Sequence, residues 1–118
     1  MRYLLLIRPD VEDLPADWGP DPKLEEDMGT LLEEMTKAGV LLDTAGLRPP
    51  AEGAVLRLAG GEVTVLDGPY TESKEVVGGY CVLQTRSRDE AVEWGTRFLR
   101  IHGPGWRMDL ELRELDGQ

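Results

Sequence analysis

The chain has 118 residues, with 13 Lys and Arg against 23 Asp and Glu, a formal net charge of −10. That length gives one domain, spanning 1–118, with a single core and no room for two. So acidic a chain is repelled by phosphate backbones and anionic lipid surfaces, which argues against nucleic-acid or membrane partners and suits a soluble protein.

"RYLLLIR" (Arg2 to Arg8) predicts a first strand that is apolar on both sides, with Leu4 and Leu6 on one and Tyr3, Leu5 and Ile7 on the other. Its apolar run is too short for a signal peptide or a membrane span, so a cytoplasmic location is expected. Residues 9–21 are rich in Pro, Asp and Gly and predict an exposed loop. A helix follows, with Asp21 as N-cap and Pro22 at its first position. Leu24, Met28, Leu31, Leu32 and Met35 make its apolar stripe, and Gly39 suits its C-terminal cap. "VLLDTAGLRPP" predicts a second strand running into a turn, and "GAVLRLAGGEVTVLDG" a hairpin about Gly60-Gly61. After a polar run, "GGYCVLQTR" reads as a further strand. The second helix opens with Ser87 and Glu90 at capping-box spacing and turns Ala91, Gly95, Phe98 and Leu99 inward. The last strand alternates, with Met108, Leu110 and Leu112 opposite Asp109, Glu111 and Arg113.

The order β-α-β-β-β-α-β predicts an α+β sandwich of the ferredoxin-like kind. Two helices cover only one face of such a sheet, yet Tyr3–Ile7 and Tyr80–Leu83 are apolar on both. About five side chains left in water, at roughly 1.5–3 kcal/mol each, favour a cover by a gross ~10 kcal/mol. Association costs about 4–15 kcal/mol, so the patch must be sizeable. A homodimer, sheet against sheet about a two-fold axis with a shared interior, is the expected solution.

The polar run "DGPYTESKEVVGGY" (Asp67 to Tyr80) carries the most specific sequence in the chain. Asp67, Gly68, Pro69 and Tyr70 are turn residues: Asp bonds a following N–H, Gly tolerates positive φ and Pro presets φ. A purely structural loop accounts for them. In the functional reading, Asp67 and Glu75 supply carboxylates, Tyr70 a phenol and Lys74 an ammonium at the mouth of a cleft. Gly78 and Gly79 would then let a strand start close to a ligand or to the partner chain. Glu72 reads as a solvated loop charge. His102, in "IHGPGW", either bonds the carbonyls that end the second helix, the simpler reading, or serves as a general acid or base with Asp67. Cys81, the sole cysteine, excludes an internal disulfide and reads as a small buried hydrophobe. Trp18 has two readings, a flap over the cleft or part of a dimer rim. No metal is expected, because a single His and a single Cys leave only carboxylates. No phosphate-binding loop is present to hold a cofactor.

The run resembles the DGPF signature of the YCII-related family, with Tyr70 in place of Phe and "SKE" (Ser73 to Glu75) in place of "TKE". "AGVLLDTAGLRP" and "RFLRIHGPGWRMDLELREL" are similar to the family's segments before the hairpin and at the last helix and strand. The resemblance implies a dimeric α+β barrel, and the link of some members with sigma-factor genes implies a regulatory setting. One branch of the family has a His on the first helix paired with an Asp; this chain has no His there, so that pair does not carry over. The expectation is a cytoplasmic homodimer that binds a small polar or aromatic ligand in a regulatory or accessory role. Two alternatives stand beside it: a cofactor-independent, lyase- or isomerase-like enzyme using Asp67 and His102, and a protein-interaction module for a sigma factor.

Overall fold

The computed structural model describes residues 1–9, 21–68 and 77–117. Its elements are β1 (Arg2–Pro9), α1 (Pro22–Lys37), β2 (Leu41–Gly46), β3 (Ala54–Ala59), β4 (Glu62–Asp67), β5 (Gly79–Gln84), α2 (Arg88–Arg100) and β6 (Met108–Glu114), the order expected. The local signals act as anticipated. The Asp21 carboxylate accepts from the Lys23 N–H at 3.0 Å, and the Ser87 hydroxyl accepts from the Glu90 N–H at 3.1 Å, so both helices begin capped. Gly39 takes a φ of 74° just past α1, and Gly60 and Gly61, at 60° and 80°, turn the β3–β4 hairpin.

The six strands do not share one sheet. Four form an antiparallel sheet in the order β2-β5-β1-β6, while β3 and β4 pair only with each other. Each helix thus connects two strands with a third between them, the split βαβ arrangement of a ferredoxin-like α+β fold. The separation has a local cause. Pro49 and Pro50 lack N–H donors, and the short 3₁₀ turn Pro50–Glu52 leads the chain off the edge strand β2 before β3 begins.

Register decides what faces the helices. Tyr3 lies opposite Leu83 and Leu5 opposite Cys81; on the other side of β1, Leu5 meets Leu112 and Ile7 meets Leu110. These side chains close on Leu31 and Met35 of α1 and on Ala91 and Phe98 of α2 to make the core. The opposite, open face carries Leu4, Leu6, Tyr80 and Val82, all half-buried. β1 and β5 are therefore apolar on both sides, as expected. Among the described residues, however, the most exposed large apolar side chains belong to the hairpin: Leu58 is 73% exposed and Leu56 70%.

Candidate functional site

The sequence centres the site on Asp67 and His102, which the fold places at the end of β4 and just after α2. Asp67 ends β4, exposed, opposite Ala54. His102 follows α2, half-buried, with Nδ1 2.9 Å from the Phe98 carbonyl. That bond makes Nδ1 the protonated nitrogen and satisfies a carbonyl that the helix end leaves free. The ring stands between Phe98 and Trp106, with centroids 5.3 and 5.4 Å away. Among the described residues no hydrogen bond or ion pair joins His102 to Asp67 or to another carboxylate, and the helix-end reading accounts for its contacts.

The glycines act through close approach. Gly68 is not among the residues of positive φ, contrary to the turn argument. Its N–H donates to the Gly53 carbonyl at 2.9 Å, and a Cβ built there would overlap the Pro50 carbonyl. At Gly79 a Cβ would stand 2.9 Å from the Ala45 carbonyl oxygen, and at Gly78 3.1 Å from Pro9 Cδ. The neighbours that these two glycines admit are β1 and β2 of the same chain. Pro69, Tyr70, Glu72, Lys74, Glu75 and Trp18 lie outside the described residues.

The open face gathers a polar set that the sequence reading missed. On its β2 side, the Tyr80 hydroxyl donates to Asp43 Oδ2 at 3.1 Å. On its β6 side, Arg8 Nη1 lies 3.5 Å from Glu111 Oε1. Between them run Leu4, Leu6 and Val82, since register aligns Leu4 with Val82 and Leu6 with Tyr80 and Glu111. A phenol–carboxylate pair and a guanidinium–carboxylate pair therefore flank an apolar strip. Such a surface suits a flat apolar body with a polar or anionic end. Below Tyr80, Thr44 Oγ1 donates to the Tyr80 carbonyl at 2.9 Å and lies 3.3 Å from Cys81 Sγ. Burial pushes the Cys81 thiol up, and the thiol stays inert in the core. Among the described residues no three His, Cys, Asp or Glu side chains converge as metal ligands would. A groove between the helices holds Asp27, Glu34, Arg97 and Arg100. Its Arg97 is engaged by Glu34 and stacks over the Trp94 ring.

The profile of the YCII-related domain matches residues 1–99. The chain belongs to the YCII-related family. It is also 32% identical over 96 residues to an uncharacterised protein of Rhizobium meliloti (strain 1021), a match covering 80% of this chain and 77% of the relative. Within this YCII-related chain no helix of the described residues is long and apolar enough to cross a membrane.

The Tyr80–Asp43 pair has a measurable signature. The Tyr80 phenol is raised above its ordinary value near 10, first by its hydrogen bond to Asp43, then by the Asp43 charge and by burial. A raised phenol favours the neutral form in the folded state. Its contribution to stability is therefore complete below the unfolded value and is lost as pH rises through the folded one. NMR titration of ¹³Cζ-labelled tyrosine is expected to place Tyr80 above 10, and Asp43→Asn to lower it toward that value.

Proposed function

We propose that this YCII-related protein is a homodimer that binds a small aromatic or otherwise apolar acid on the open sheet face, in a regulatory or accessory role. The observation that carries the reading is the arrangement of Tyr80–Asp43 and Arg8–Glu111 on either side of Leu4, Leu6 and Val82. The apolar strip accepts the ring. The Arg8 guanidinium exchanges Glu111 for the ligand's carboxylate, and the Tyr80 hydroxyl orients a second polar group. A second copy facing the first would exclude water from this surface and strengthen both polar contacts.

The test is a thermal-shift screen of substituted benzoates and phenols. A ligand at 100 times its Kd adds about 2.7 kcal/mol to the native state, a rise in Tm of roughly 10 °C for a domain this size. Arg8→Ala is expected to remove the response to carboxylates and Tyr80→Phe to weaken the response to phenols. A panel that shifts nothing, or variants that respond like the wild type, would overturn the reading.

A further inference from the structure

Resting on the homodimer just proposed but on no ligand, we propose that the β3–β4 hairpin is a dimerisation arm. Its apolar face packs on the open sheet face of a second copy, at the Leu4 and Val82 end of the strip, and leaves Leu6, which lies level with Tyr80 and Glu111, to the ligand. The pairing Leu56 with Val65 and Leu58 with Val63 places these four side chains on one side of the hairpin, while Arg57, Thr64 and Glu62 take the other. The four are 70, 60, 73 and 64% exposed in that order. They amount to roughly 400 Å² of contiguous apolar surface, which reaches the range of the largest patch a monomer ordinarily carries.

An uncovered position also sits badly with the hairpin's own stability. A two-stranded ribbon is marginal in water without a surface to pack on. Among the described residues β3 and β4 pack almost wholly on each other. A cover is needed, and the chain carries its complement: the open face offers a half-buried apolar strip on the side of the sheet away from the helices. Because each copy owns one arm and one open face, a two-fold axis satisfies both at once. The roughly 400 Å² of the arm, joined by the open face, approaches the roughly 800 Å² that each partner buries in a stable complex.

Charge points the same way. Two copies of net charge −10 repel, so contact is easiest where no carboxylates meet. The arm's face is free of charge from Leu56 to Val63 and ends at Asp67, opposite Ala54.

The experiment is analytical ultracentrifugation of the full chain, its Leu58→Asp/Val63→Asp variant, and Val92→Asp as a control on the exposed outer side of α2. The wild type is expected to be a dimer. The hairpin variant should weaken the dimer at least about 100-fold with an unchanged far-ultraviolet circular dichroism spectrum, and the control should not weaken it. In a second measurement, copies carrying Leu58→Cys are mixed with copies carrying Leu4→Cys and treated with a short bismaleimide, the native Cys81 being buried. A mixed cross-link is expected. A wild-type monomer would overturn both the arm and the homodimer. A dimer indifferent to the hairpin variant, or one in which Leu58→Cys cross-links only to itself, would overturn the arm and leave the homodimer standing.

Discussion

Leu83→Ala is expected to lower the stability of the protein by about 3 kcal/mol, within the 2–5 kcal/mol range of fully buried leucines. Leu83 is 0% exposed, on β5 between β2 and β1, where register sets it opposite Leu41 on one side and Tyr3 on the other. Its neighbours come from paired strands whose hydrogen bonds resist collapse into the space left by the truncation, so the cavity remains. Domains of this size hold only about 5–15 kcal/mol in total, which makes the loss a large share. In urea, with a slope of roughly 1–2 kcal/mol per molar, the midpoint should fall by about 1.5–3 M. Leu58→Ala gives the contrast. It removes the same atoms from a side chain that is 73% exposed, so within a single copy it should cost less than about 0.5 kcal/mol. A fall of under about 0.5 M for Leu83→Ala would mean that β5 is not the centre of the core.

The two leucines also show how far the sequence could be read. Leu83 lies in a short continuous apolar run that opens after Gly78-Gly79 and reads as a strand, and Leu58 lies in another strand-like run beside Gly60-Gly61. Both read as strand residues, and both are. What separates them is strand order: β5 is inserted between β2 and β1, whereas β3 and β4 are held apart with only each other to pair with. Order is a property of contacts between residues far apart in the chain, and periodicity carries no record of it. Signals that act within a turn or two were legible for the complementary reason. The carboxylate of Asp21 and the hydroxyl of Ser87 reach backbone donors two and three residues on, and Gly60-Gly61 closes a hairpin locally.

The same division runs through the site. The carboxylates, the phenol and the guanidinium of the open face were all visible as letters, and the parities of β1 and β6 already placed Leu4 and Leu6 on one side and Asp109, Glu111 and Arg113 on one side. Joining them required knowing that β6 and β5 flank β1. Arg8 meets Glu111 across 103 positions of sequence, and Tyr80 meets Asp43 across 37. Asp67 stands out in the sequence because its motif is compact, and His102 because it is the single histidine of the chain. Compactness of a motif reports a local constraint, and the constraint here includes the meeting of Gly68 with the turn at Pro50.

That constraint yields the second large effect. Gly68→Ala is expected to destabilise the protein by about 3 kcal/mol, at the upper end of overpacking costs, because the added methyl meets backbone atoms that no rotamer change can move. Its nearest neighbours are the carbonyl of Pro50 and then Ala51 Cα, in a turn that Pro49 and Pro50 stiffen. Relief would require breaking the bond from the Gly68 N–H to the Gly53 carbonyl, which ties the end of β4 to the start of β3. The hairpin would then lose its anchored base and, with it, the orientation of Leu56, Leu58, Val63 and Val65. Equilibrium unfolding of the variant separates two meanings of the motif's glycine. If it serves chain packing, stability falls whether or not any ligand is present. If it were reserved as space for a ligand, stability without ligand would match the wild type and only binding would fail. Gly60→Ala is the reference: nothing lies within 4 Å of its built Cβ, and its φ of 60° alone should cost about 1 kcal/mol. A Gly68→Ala cost no larger than that would remove the steric account of the motif.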